Sequence, residues 1–139
     1  MTTRRRVVWA LAMVLGTPVA FYGLAWAYFV VPGTAADLTH RLAFDAKAWK
    51  SRSADAGHDW PTRLRMVDSL RDRRLLDGLT RAQVVELLGP ADDTSKWRDW
   101  DLVYHLGPER KALIRIDSEW LVVRLDSRGA VAGYRIVVD

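Results

Sequence analysis

The hydrophobic pattern of the chain is dominated by an uncharged block from Val7 to Val31. A helix rises about 1.5 Å per residue, so this block exceeds the roughly 20 residues that cross a bilayer. Trp9 near one end and Trp26 near the other are typical of aromatic residues at membrane interfaces. We therefore predict that residues 7–31 form a transmembrane helix in contact with membrane lipid.

Three arginines, Arg4 to Arg6, precede this block. Basic flanks stay on the cytoplasmic side, so residues 1–6 are predicted to be a cytoplasmic tail and residues 32–139 to be extracytoplasmic, or periplasmic in a Gram-negative envelope. The competing interpretation is a cleaved signal peptide, because Ala25-Trp26-Ala27 has the small-x-small form of a cleavage site. Further apolar residues follow that site, which favours an uncleaved signal-anchor.

A change of composition follows the apolar block at Pro32 and Gly33. Residues 32–58 are rich in Ala, Ser and alternating charges, which predicts a tether with one short helix around residues 38–49. The folded domain is expected to occupy residues 59–139.

Apolar residues at helical spacing predict a first helix of this domain over residues 61–75. Asp59 is expected to cap the helix, and Pro61 is suited to its first turn. The apolar positions are Leu64, Val67, Leu70 and Leu75. The polar positions between them, expected to face solvent, are Arg63, Arg65, Asp68, Asp72 and Arg73.

A second helix is marked at both ends. Thr80 and Gln83 have the spacing of a capping box, and Gly89 is expected to form a left-handed C-terminal cap. The apolar stripe between the two ends consists of Val84, Leu87 and Leu88.

Strand-like patterns fill the rest of the chain. They are predicted at Trp100 to Leu106, within residues 112–125, and at Val131 to Val138, with a hairpin connection at Asp126 to Gly129. Two helices followed by a three- or four-stranded antiparallel sheet predict an α+β fold.

Charge and composition exclude several classes of protein. The chain has 21 basic and 17 acidic residues, so without the three N-terminal arginines it has 18 against 17, a net charge of +1. This balance argues against nucleic-acid binding. The absence of Cys excludes disulfides, thiolate metal sites and lipidation at a lipobox cysteine.

Catalytic patterns are weak. The three histidines lack metal-ligand spacing, and His105 with Asp117 and Ser118 lacks the nucleophile turn of a triad. Asp117 and Glu119 alternate onto one strand face, where exposure to water is expected rather than paired acid–base chemistry. We therefore expect no enzyme activity, no metal or other cofactor, and no small-molecule substrate.

Tryptophans and arginines are the candidate partner-binding residues, since both types are enriched at interface hot spots. Core packing is the alternative for each tryptophan, and a solvated helix face is the alternative for the arginines. The candidates are Trp97, Trp100, Trp120, Arg63, Arg71 and Arg74.

The run DGLTRAQVVELLGPAD, Asp77 to Asp92, resembles the signature of the BamE/SmpA/OmlA family, and Leu121 to Val131 resembles that family's last hairpin. The resemblance spans about residues 60–139 and implies two helices followed by a three-stranded antiparallel sheet. The family is typically attached through an N-terminal Cys, whose place the predicted membrane anchor takes here. The positions that match the motif are Gly78, Leu79, Thr80, Gln83, Val84, Leu88 and Gly89.

The family resemblance and the predicted anchor together suggest a role. We expect a membrane-anchored envelope protein with a non-catalytic binding or scaffold domain, accessory to outer-membrane protein assembly or to envelope maintenance. Its partner is then another envelope protein. The alternative is an inhibitor-like module that binds an extracytoplasmic enzyme.

Overall fold

A computed structural model describes residues 18–27, 37–51, 60–92, 95–110 and 116–139. These residues form an α+β structure with a three-stranded antiparallel sheet. Residues 18–27 and 37–40 are helical. The remaining elements are α1 (Ala46–Lys50), α2 (Thr62–Asp72), α3 (Arg81–Leu88), β1 (Leu102–Pro108), β2 (Ser118–Leu125) and β3 (Val131–Val138).

Helix α2 is shorter than the predicted span of 61–75. It starts after Pro61, which makes no side-chain capping bond, and the predicted cap Asp59 lies outside the described residues. The helix ends at Asp72. It cannot continue to residue 75 because Arg74 has a φ of 54°, which is incompatible with a right-handed helix, and Gly78 has a φ of 69° in the turn that follows.

Helix α3 confirms the predicted capping box. The main-chain nitrogen of Thr80 donates to Gln83 Oε1 at 2.9 Å, and the main-chain nitrogen of Gln83 donates to Thr80 Oγ1 at 3.4 Å. Gly89 ends the helix with a φ of 84°, as predicted, but its ψ of 179° lies outside the left-handed helical region. Val84 and Leu88 are fully buried.

The sheet has the order β1-β2-β3, with Leu121 of β2 paired with Tyr104 of β1 and Ile136 of β3. Strand β1 begins later than predicted, because residues 95–100 form a turn in which the Trp100 main-chain nitrogen donates to the Trp97 carbonyl at 2.9 Å. Strand β3 and the hairpin before it are confirmed.

The hairpin owes its shape to Asp126. Its carboxylate accepts main-chain hydrogen bonds from Ala130 and Arg128, and these bonds lower the pKa of Asp126. Gly129 supplies the positive φ of 77° that the turn requires.

The core lies between the helices and one face of the sheet. Leu121 and Val123 of β2 pack there with the buried side chains of α2 and α3. Tyr104 of β1 is also buried, and its hydroxyl donates to the Gly89 carbonyl at 3.1 Å. Burial raises the pKa of Tyr104 to about 12.

Residues 37–51 do not form the predicted tether. Trp49 of α1 is fully buried in the core, and its ring lies 5.7 Å from that of Phe44 between centroids. The main-chain nitrogen of Leu42 donates to the Arg65 carbonyl of α2 at 2.8 Å. Residues 37–51 therefore belong to the domain, which was predicted to begin at residue 59.

The predicted transmembrane span, 7–31, is described only over residues 18–27. These residues are helical, and their large apolar side chains are exposed, Trp26 by 61%. The tail 1–6 and the rest of the span lie outside the described residues. Among the residues that the structure describes, no helix has both the length and the apolar character needed to cross a membrane.

Replacing Trp49 with Ala tests whether residues 37–51 belong to the domain. The cavity left by the indole predicts a loss of about 3–5 kcal/mol in the free energy of unfolding. The matched control is Leu38→Ala, because Leu38 is exposed and its truncation should change stability by less than about 0.5 kcal/mol. Urea denaturation of the full chain in detergent micelles measures both. Equal stability of the two variants would contradict the packing of this segment.

Candidate partner-binding surface

The sheet face opposite the helices carries the tryptophans singled out in the sequence. Trp120 alternates along β2 with the core residues Leu121 and Val123, so it points to this outer face. The turn 95–101 folds over the same face, since Arg124 Nη2 donates to the Asp99 carbonyl at 2.8 Å.

Trp100 lies against two arginines of the outer face. The guanidinium carbon of Arg124 is 4.6 Å from the centroid of the Trp100 ring, and that of Arg135 is 4.9 Å from it. Both distances are within the range of cation–π contacts. Among the described residues, neither arginine forms an ion pair with a carboxylate.

A shallow hollow of about 390 Å³ opens beside this contact. Apart from its two chain neighbours, no described residue has an atom within 4 Å of the position that a Cβ on Gly133 would occupy, so the hollow is open above this glycine. The hollow, which we call the Trp100 hollow, is lined by Trp100, Arg124, Ala132, Gly133, Tyr134 and Arg135.

The other two tryptophans are more engaged in packing. The Trp120 ring has an edge contact with His105 at 4.7 Å between centroids, and Lys96 Nζ lies 5.7 Å from the Trp120 centroid. Lys96 also forms a salt bridge with Asp139. The indole nitrogens of Trp97 and Trp120 are buried and donate no hydrogen bond to the described residues. Trp100 is thus the strongest candidate of the three for contact with a partner.

A buried ionic cluster occupies the other side of the sheet, around Arg110. Its guanidinium donates to Glu119 at 2.8–3.1 Å, to Asp68 at 2.5 Å and to Asp37 at 3.1 Å. All four residues are between 3% and 7% exposed. Burial alone would lower the pKa of Arg110, but hydrogen bonds and charge from Glu119 and Asp68 outweigh it and raise the pKa.

This cluster corrects two expectations from the sequence. Asp68 and Glu119 were expected to face water, and both are buried because their carboxylates compensate the charge of Arg110. Asp117 remains exposed, so it does not share the environment of Glu119.

Arg71 and Arg74 are exposed, as expected for partner contact, but each is already paired. Arg71 Nη2 lies 3.1 Å from Asp68 Oδ1, and Arg74 Nε lies 2.7 Å from Asp77 Oδ2. Their charges are therefore partly compensated within the chain.

Arg63 is buried, which corrects its placement on a solvated face. Its Nε donates to the Trp49 carbonyl at 3.2 Å, and its Nη1 donates to Asp92 Oδ2 at 3.3 Å. The guanidinium carbon also lies 5.5 Å from the Trp49 centroid and 5.7 Å from that of Tyr104. These contacts satisfy the charge inside the domain, so Arg63 holds α1 and α2 together rather than facing a partner.

His105 lies on the outer face, where its ring contacts that of Trp120 and its main-chain nitrogen donates to Asp92 Oδ2 at 2.7 Å. The main-chain nitrogen of Ser118 donates to Asp139 Oδ1 at 2.8 Å. Among the described residues, no group of three or more His, Asp or Glu side chains is placed to hold a metal ion.

Sequence reasoning missed Arg124, Arg135 and Arg110 as functional or structural centres. The alternation of β2 carried a usable signal for Arg124, because it shares a face with Trp120. Arg135 required the register, which places it opposite Val122 on the same face. Local pattern gave no signal for Arg110.

Comparison with known proteins adds no relative to this picture. The chain matches no protein-family model, no curated protein and no solved structure. Its own residues therefore carry the functional inference.

Replacing Arg110 with Met tests the buried cluster. Removing the cation leaves buried carboxylates without compensation, so the free energy of unfolding should fall by about 3–5 kcal/mol. Arg128→Met is the matched control, because Arg128 forms an exposed pair with Asp126 and its loss should cost less than about 1 kcal/mol. Denaturant titration of both variants measures the difference. A stability of Arg110→Met equal to that of the control would refute the structural role of the cluster.

Proposed function

We propose that this protein is a single-pass, membrane-anchored envelope protein whose BamE-like α+β domain binds a protein partner. The domain acts as a binding or scaffold module and catalyses no reaction. The observation that carries the proposal is the Trp100 hollow, where Trp100 meets two arginines that form no ion pair within the described part of the chain.

The anchor is supported by the sequence of residues 7–31 and by the basic tail before it. The described part of this block presents Val19, Phe21, Leu24 and other apolar side chains outward, with 70% or more of these three exposed. The free energy falls when lipid replaces water around the exposed apolar residues of a helix. In this proposal residues 32–139 are extracytoplasmic.

The BamE-like assignment rests on the resemblance of residues 77–92 and on the order of the elements. Helices α2 and α3 precede the three-stranded antiparallel sheet, which is the order that the resemblance implies. The matched residues Thr80, Gln83 and Gly89 shape α3 and its ends, so they support the fold part of the proposal rather than a particular partner. An accessory role in outer-membrane protein assembly or envelope maintenance is the corresponding function.

Partner binding is supported by the chemistry of the outer face. A tryptophan buries a large area at small entropic cost, and an arginine offers planar donors for carboxylates. Trp100 is half-buried by its arginines, so it is held in place before a partner arrives. A preorganised aromatic side chain of this kind is typical of an interface hot spot.

Membrane fractionation tests the anchor. The full chain should remain in the pellet after alkaline carbonate extraction, whereas a variant without residues 7–31 should be released. Removal of residues 52–58, as a matched deletion, should leave the protein in the pellet. The intact mass of the mature protein is the second readout. Loss of residues 1–27 would identify a cleaved signal peptide and contradict the signal-anchor.

Photo-crosslinking in intact cells tests partner binding. A photoreactive residue in place of Ala132, which is exposed and lines the Trp100 hollow, should capture an envelope protein. Adding Trp100→Ala should reduce capture by about tenfold or more, the effect of losing a hot-spot residue. The same photoreactive residue at Ala82, exposed on α3, is the control position.

The identity of the captured protein separates the candidate roles. Capture of outer-membrane assembly components supports the accessory role, and capture of one soluble enzyme favours the inhibitor-like alternative. Equal capture from positions 132 and 82, or capture that Trp100→Ala leaves unchanged, would contradict binding at this surface. Thermal unfolding of Trp100→Ala checks that the variant is folded.

A further inference from the structure

We propose that the Trp100 hollow is a carboxylate-binding site that recognises an acidic, extended segment of a partner protein, and that this segment pairs with the open edge of β3. This inference rests on the proposed function and names the chemistry of the partner. The site consists of the paired arginines Arg124 and Arg135, the Trp100 ring and the main chain of β3 around Gly133.

The two arginines concentrate positive charge at one point. Their guanidinium carbons lie 4.6 Å and 4.9 Å from the same ring centroid, so the two positive charges are close to each other. Like charges this close repel each other, and a carboxylate that contacts both relieves the repulsion. Arg124 donates one hydrogen bond to the Asp99 carbonyl. Neither arginine has a carboxylate partner among the described residues.

The guanidinium groups are suited to a carboxylate. Each presents a planar fork of donors that matches the two oxygens of an Asp or Glu side chain. The Trp100 ring orients both forks through cation–π contacts. An acidic side chain that enters the hollow therefore meets donors that are already held in position.

The edge of the sheet supplies the second part of the site. Strand β3 is terminal in the order β1-β2-β3, so over the described residues it pairs with β2 alone beyond Val131. At Val131 the main-chain nitrogen donates to the Leu79 carbonyl at 2.8 Å, and Thr80 forms an isolated bridge with Ala130. The chain itself thus covers the first residues of this edge, and no other described strand pairs with the rest of it.

The hollow and the open edge are continuous. Four consecutive residues of β3, 132–135, line the hollow, so its surface includes main-chain atoms of the strand. An extended peptide that adds to this edge places alternate side chains toward the outer face. One acidic side chain of such a peptide would lie above Gly133, between the two arginines.

The charges around the site favour a peptide over a nucleic acid. Without its three N-terminal arginines the chain has a net charge of +1, which offers no continuous track for a phosphate backbone. Asp99 and Asp101 lie in the turn next to Trp100 and Arg124, where they would repel further phosphates. The carboxylates of an extended peptide, on alternate residues, are more widely spaced than the phosphates of a nucleic acid, so fewer of them approach these two aspartates.

Peptide binding tests the carboxylate. The probe is a fluorescein-labelled peptide of alternating threonine and glutamate. It has eight residues, the length of β3. Its binding to the full chain in detergent micelles is measured by fluorescence anisotropy. The matched peptide with glutamine in place of glutamate should bind about tenfold more weakly, because charge-assisted hydrogen bonds are lost.

Substitutions locate the site. Arg124→Gln and Arg135→Gln should each weaken the glutamate peptide by about tenfold and leave the glutamine peptide nearly unchanged. Arg73→Gln is the matched control, because Arg73 is exposed, forms no ion pair among the described residues and lies at the end of α2. Arg135 makes no side-chain hydrogen bond in the described structure, so its variant keeps the experiment interpretable if Arg124→Gln fails to fold.

A methylated peptide tests the pairing with β3. Methylation of alternate main-chain nitrogens removes the donors along one edge of the glutamate peptide and leaves its carboxylates in place. Binding should fall by about tenfold for the peptide methylated on the edge that pairs, but not for the one methylated on the other edge. Equal binding of both methylated peptides and the parent would overturn strand addition.

Further results would overturn the inference without affecting the proposed function. One is equal affinity for the glutamate and glutamine peptides. A second is an oligonucleotide that binds as tightly as the glutamate peptide and loses affinity in the same variants. A third is undiminished crosslinking from position 132 in cells when Arg135→Gln is present. In that third case partner binding stands, but recognition of an acidic segment is refuted. If position 132 captures no protein even without further substitutions, the proposed function itself is refuted.

Discussion

The structure depends on the compensation of one buried charge. Arg110 cannot be buried without carboxylates, and it receives them from Asp37, Asp68 and Glu119, which lie on three segments distant in sequence. Moving any one segment out of place leaves buried charges without compensation, which lowers the stability of the fold strongly. The cluster therefore fixes the positions of residue 37, α2 and β2 relative to one another, in addition to the apolar core between them. The ionic contacts specify an arrangement that apolar packing alone would leave less well defined.

The two faces of the sheet consequently have different roles. On the inner face, arginines are buried and matched by acidic residues, as with Arg110 and Arg63. On the outer face, Arg124 and Arg135 stack on Trp100 and are not matched among the described residues. The inner arginines therefore stabilise the domain, whereas the outer arginines can bind an acidic group of a partner. This division lets the outer face change in sequence without disturbing the interactions that hold the helices on the sheet.

Features with local signals were predictable from the sequence. The capping box of α3, the strand β3 and the hairpin turn at Asp126 depend on residues a few positions apart, and all were predicted with their main residues. Burial of Asp68 and Glu119 was not predictable, because the charge that compensates them comes from a residue 42 and 9 positions away. The composition of residues 37–51 resembles a linker, and only the contacts of Trp49 with the core reveal that it is part of the domain. Only part of the candidate surface was predictable. Trp100 was a candidate because tryptophans are common at interface hot spots. That Arg124 and Arg135 contact it depends on the register of the sheet, which the sequence does not give.

The attachment of Asp37 to Arg110 has a consequence for where the domain can travel. Five residues, 32–36, lie between Asp37 and Val31, the end of the apolar block, and an extended chain over this stretch reaches about 20 Å at most. In the anchored form that we propose, the domain would be confined to a thin layer above the bilayer instead of sweeping the full depth of the surrounding compartment. Confinement of that kind raises the local concentration seen by a membrane-bound partner and lowers it for a partner free in solution. A weak contact at the outer sheet face would then suffice for capture, provided that the partner shares the same membrane.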